Sequence, residues 1–65
     1  MKKTKREVTD LANRLGIMWD YDHIFMQVSL VETGKSHLSD MSPEELGSMY
    51  ELISESPHIF SKKLE

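Results

Sequence analysis

Apolar residues recur at Val8, Leu11, Ala12 and Leu15. That spacing of i, i+3, i+4 and i+7 gathers them on one side of a helix. Gly16 follows at once, and glycine is the residue best suited to the left-handed position that closes a helix. Thr4 and Glu7 stand three apart, the spacing of a capping box. The pattern predicts a first helix from Thr4 to Leu15.

Ile17-Met18-Trp19 reads as a short apolar linker, and Asp20 as the N-cap of a second helix. Tyr21, Ile24, Phe25, Val28 and Val31 then fit one helical face. Ile24, Met26, Val28 and Leu30 also alternate as a strand would. Helix is preferred because of the cap, the stop at Thr33-Gly34-Lys35, and the helical neighbours. A lone strand has nothing to pair with unless the protein dimerises through it. Met26 and Leu30 form a second apolar strip, roughly opposite the main face. Either the helix lies between two neighbours, or the strip serves self-association.

The third helix has the strongest start. Ser42 at the N-cap, Pro43 at N1 and Glu45 at N3 make a capping box. Glu44 and Glu45 complement the positive end of the helix dipole. Met41 and Leu46 are placed for a hydrophobic staple, and Leu46, Met49, Tyr50 and Ile53 form the stripe. Gly47 inside this helix would admit a neighbouring helix closely, and Pro57 ends it. Leu38 is expected to pack under the preceding connection. The predicted fold is all-α, three short helices in a small bundle, with the second helix as the one alternative strand. Residues 1–6 read as a flexible basic arm, 7–56 as a single helical domain and 57–65 as a tail. Leu64-Glu65 resembles the scar of a purification tag.

Composition narrows the function classes. A chain of 65 residues buries only about 60% of its unfolded surface, so its core is marginal. An enzyme with its own pocket is hard to fit into so small a core, and no catalytic residue is singled out. The chain has no cysteine, which excludes disulfides and thiolate metal sites and fits a reducing cytoplasm. No apolar run reaches the length of a membrane helix. Lys2-Lys3 resembles the start of a signal peptide, but no apolar stretch follows. The expected location is cytoplasmic.

Charge is sorted along the chain. Lys2, Lys3, Lys5 and Arg6 crowd the start and Lys62 and Lys63 lie near the end, whereas residues 7–61 hold two bases against ten acids. An acidic body repels phosphate and favours protein partners. The run from Asp10 to Ile17 resembles the front of a helix-turn-helix. Its reading segment would be Met18 to His23, which presents Asp20 and Asp22 and no arginine, lysine or glutamine. The basic arm Lys2, Lys3, Lys5 and Arg6 would give only salt-sensitive, non-specific phosphate contacts.

Thr33-Gly34-Lys35-Ser36 looks like part of a phosphate loop but lacks its first glycine, since Ser29 stands there. His23, His37 and His58 lack metal-ligand spacing, and neither metal nor cofactor is expected. Trp19 beside Tyr21 is the most function-like pair: a core plug on one reading, a partner anchor on the other.

Glu32 to Ser36, followed by Leu38-Ser39-Asp40-Met41-Ser42-Pro43-Glu44-Glu45-Leu46, resembles the helical unit of GemA-type regulatory proteins of Mu-like phages. There a helix ends in a similar Thr-Gly-Lys turn and the next opens with a similar capped segment. The resemblance spans roughly residues 15–53 and implies a phage- or prophage-derived regulatory protein, with no functional residue carried over. The expected function is a non-enzymatic regulatory or protein-interaction module that binds another protein, with a homodimer as one form. Trp19, Tyr21, Met26 and Leu30 are the partner-binding candidates. The alternative is a nucleic-acid-binding module using the basic arm and a degenerate helix-turn-helix. A third reading is an acidic mimic of phosphate that occupies a nucleic-acid site on its target.

Overall fold

The computed structural model describes residues 1–63. Helix α1 spans Lys5–Arg14, α2 His23–Thr33 and α3 Pro43–Glu55. Short 3₁₀ turns lie at Leu38–Asp40 and Pro57–Ile59. The fold is all-α, a small three-helix bundle, and residues 24–31 are helical. The reading of Leu64-Glu65 as a tag scar lies outside the described residues.

Helices α1 and α3 begin and end as their sequences predict. Thr4 accepts from the Glu7 backbone N–H while the Glu7 carboxylate accepts from the Thr4 N–H. Ser42 and Glu45 repeat the arrangement at the start of α3. After α1, Gly16 takes φ +72°. The Ile17 N–H then reaches back to the Ala12 carbonyl at 2.8 Å and the Gly16 N–H to Asn13 at 3.1 Å. These two bonds make a Schellman closure, and Ile17 and Ala12 are both buried beside it. Gly34 closes α2 in the same left-handed region, its N–H donating to Leu30.

The start of α2 departs from expectation. Its N-cap is Asp22, whose carboxylate accepts from the Phe25 N–H at 3.1 Å. Asp20 lies before the helix at φ 59° and is buried. Its carboxylate accepts from the Leu38 N–H at 3.2 Å and lies 3.4 Å from His37 Nδ1. A carboxylate that can bind a distant backbone donor is better used there than at a helix end already capped by Asp22. Tyr21 therefore precedes the helix and does not belong to its face.

Helix α3 is the packing centre, against which both α1 and α2 lie. Val8, Leu11 and Ala12 from α1 and Leu46, Met49 and Ile53 from α3 enter the core. So do Ile17, Leu38 and Met41 from the connections. Leu15, expected on the same α1 stripe, is instead the C-cap residue and is 37% exposed. The core-facing side of α2 is Phe25 and Ser29, flanked by the half-buried Val28. Ile24 and Val31, expected to face inward, are 43% and 87% exposed. The Ser29 hydroxyl is buried without a hydrogen-bond partner, a configuration that costs about 1–3 kcal/mol.

Residues before α1 and residues 57–63 take part in the fold. Residues 1–6, read as an arm, run onto α3: the Lys3 N–H bonds the Pro43 carbonyl at 3.0 Å. The Met1 carbonyl lies directly over Gly47, where any Cβ would collide with it. The close approach at Gly47 is thus made by the N-terminal segment and not by a helix. Phe60, in the segment read as a tail, is buried with its ring 5.3 Å from that of Phe25. Residues 61–63 pair with the α1–α2 connection through Met18 N–H to Ser61 at 2.9 Å and Lys63 N–H to Gly16 at 2.7 Å.

Candidate interaction surface

The residues singled out from sequence separate into two kinds. Trp19 is half-buried against the core, and its indole N–H donates to Asn13 Oδ1 at 3.0 Å. Met26 is half-buried on α2. Tyr21 is 81% exposed and Leu30 55% exposed. Only Tyr21 and Leu30 thus offer most of a side chain to a partner. The Tyr21 ring lies 4.9 Å from the His37 ring, which ties it to the Asp20–His37 cluster.

The basic residues of the first six positions are largely engaged within the chain. Lys3 Nζ lies 3.5 Å from Glu7 and 4.3 Å above the Tyr50 ring. Lys5 Nζ donates to Ser39 at 2.8 Å, and Arg6 faces Asp10 at 3.9 Å. Lys2 is exposed. Residues 18–22, which a groove-reading helix would need, are not helical. Asp20 in that segment is turned inward.

Ionisable groups with a shifted balance sit at helix starts. Hydrogen bonding from the Thr4 backbone, helped by Lys3, holds the Glu7 carboxyl below its ordinary value. The Ser42 backbone N–H and then the Lys35 ammonium do the same for Glu45. Lys35 Nζ reaches both Glu45 oxygens, at 2.9 and 3.1 Å. These shifts have structural causes, since both carboxylates complete capping boxes. Among the described residues no group of three or more metal-ligating side chains is assembled.

The surface that sequence reasoning missed lies between α2 and the end of α3. Val28, Val31, Leu52 and Ile59, with Gln27 and Glu32, line a shallow groove of about 340 Å³. A second depression of about 170 Å³ adjoins it through Glu32 and Leu52, and is bordered by Met1, Glu51 and Glu55. Val31 shares a helical face with Phe25 in the sequence pattern, yet it lies in solvent. The helix advances one turn every 3.6 residues. Once Phe25 and Ser29 define the inward side, Ile24, Val28 and Val31 fall on one flank and Met26 and Leu30 on the other. Among the described residues no helix is long and apolar enough to cross a membrane. No known family, curated protein or solved structure matches the chain.

Proposed function

We propose that this chain is a non-enzymatic regulatory module that acts by binding another protein through α2. The observation that carries the reading is the apolar surplus of that helix. Ile24, Leu30 and Val31 stand exposed on both flanks of an eleven-residue helix, beside a core that is small for want of chain. Large exposed apolar groups on a small domain mark interaction sites more than scattered single ones do. The resemblance to GemA-type phage regulators, carried by the Gly34 stop and the Ser42 capping box, supports a regulatory role. The intramolecular engagement of Lys3 and Lys5 weighs against phosphate binding as the main activity.

The test is a triple variant, Tyr21→Ser, Leu30→Ser and Val31→Ser, compared with the wild type. All three side chains are mostly exposed, so helical content and the unfolding midpoint should change little. A partner recovered from the native host by the wild type should be lost by the variant. Equal recovery of the same partner by both proteins would sink the reading.

A further inference from the structure

The groove between α2 and α3 carries two features that point the same way. Its floor is apolar, formed by Val28, Val31, Leu52 and Ile59. Its adjoining edge is acidic, with Glu32, Glu51 and Glu55 around one depression. Among the described residues none of these three glutamates has an ion-pair partner. The floor and the edge share Glu32 and Leu52, so an occupant of one touches the other.

The placement of the acids runs against helix electrostatics. The C-terminal end of a helix carries partial negative charge, which favours bases and disfavours acids. Neither α2 nor α3 has a base in its last turn. Glu32 lies in the last turn of α2, and Glu55 is the final residue of α3. Glu32 and Glu55 thus each stand at the negative end of their own helix. Lys35, just beyond α2, pairs with Glu45 instead of Glu32, and Met1 borders the depression without an ion pair from its terminus to any of the three among the described residues. Departures from local preference that the fold does not use are the expected mark of a functional surface.

We infer that this groove binds a basic amphipathic helix of a partner protein, its apolar side chains on Val31 and Ile59 and its lysines or arginines on Glu32, Glu51 and Glu55. The inference rests on the protein-binding reading and names the partner's chemistry. A helix laid in a groove with complementary charge at the rim is a common mode of recognition. A second copy of this chain fits less well, because a two-fold pairing of grooves would set the two groups of glutamates against each other.

The experiment uses the full chain and two labelled synthetic peptides of one amphipathic pattern, one of leucine and lysine, the other of leucine and glutamate. Binding is read by fluorescence anisotropy at low and high ionic strength. The lysine peptide should bind, more weakly in high salt, and the glutamate peptide should not. Val31→Ser should weaken binding about tenfold, the scale of one valine side chain buried. The pair Glu51→Gln and Glu55→Gln should weaken it to a similar degree and flatten the salt dependence. Met18→Ser, at an exposed residue of the connection before α2 and outside the groove, should leave it unchanged. Glu55→Lys should abolish binding while raising the melting midpoint by about 3 °C, since it corrects the helix end.

Loss of binding on Leu30→Ser but not on Val31→Ser would move the site to the other flank and overturn the groove, leaving the protein-binding reading intact. Absence of binding by the lysine peptide would overturn the partner chemistry. A dimer in sedimentation equilibrium that Val31→Ser dissolves would make the occupant a second copy and overturn it too.

Discussion

Helices α2 and α3 are similar in length, eleven and thirteen residues, yet they are specified differently. Helix α3 carries its own instructions: a capping box, proline at N1, glutamates at the positive end and proline just beyond its last turn. Its stripe of Leu46, Met49 and Ile53 is buried as written. Helix α2 has apolar residues around more than half its circumference, and the hydroxyl of Ser29 sits in its buried face. Its inward side is chosen from outside, by the Phe60 ring against Phe25 and by Asp20 holding the following connection at Leu38. A helix whose facing is imposed by its neighbours can leave apolar side chains in water. Those side chains are the surface on which the proposed binding rests.

The most forceful way to break this comparison is Phe60→Ala. Truncating a buried phenylalanine costs about 3–5 kcal/mol, comparable with the whole stability of a chain this size. Amide hydrogen exchange should show α2 losing protection first while α3 keeps the most. Equal loss in both helices would mean that α2 does not depend on the C-terminal segment as described.

Asp20 offers a finer test. Asp20→Ala removes the acceptor of the buried Leu38 N–H and leaves a residue ill-suited to φ 59°. The expected loss is about 1–3 kcal/mol in urea unfolding. Asp20→Asn keeps an acceptor oxygen and tolerates the left-handed region, so it should recover most of that loss. Identical unfolding midpoints for the two variants would show that the side-chain acceptor is not what holds the connection.

The smallest expected effect concerns the self-specified helices. The Glu7 and Glu45 carboxyls have folded-state pKa values lowered from their ordinary ones. Their stabilising contribution is therefore fully present above the ordinary glutamate value. It is lost as pH falls through the lowered one. Glutamine can still complete a capping box but does not titrate. Glu45→Gln should thus flatten the acid limb of a stability–pH curve with little change in the structure of α3. An unaltered acid limb would remove Glu45 from the account.

Much of the fold was legible because its signals are local. The Thr4–Glu7 and Ser42–Glu45 boxes, the Gly16 and Gly34 closures and the buried stripes of α1 and α3 all lie within a few residues of what they determine. The misassignments share a different property. Asp20 was read as a cap because its carboxylate was matched to the nearest helix, while its partner is the N–H of Leu38. Phe60 was placed in a tail because no periodic element contains it. Gly47 was matched to a neighbouring helix, although what crosses it is the backbone of Met1. Of the four residues singled out as partner-binding candidates, Tyr21 and Leu30 are the more exposed, and neither lines the groove. Val31 and Ile24 were assigned inward because a period of 3.6 residues defines a face without saying which face is covered.

The sequence by itself thus determined that three helices form, where α1 and α3 start, and where all three stop. The tertiary structure alone decided the facing of α2, the burial of Asp20 and Phe60, and the meeting of an apolar floor with three glutamates from two helices. The reason is physical. Caps, glycine closures and dipole effects act over one turn of chain and are written in neighbouring residues. Burial is a competition among all apolar groups for a limited core, and its outcome depends on partners distant in sequence.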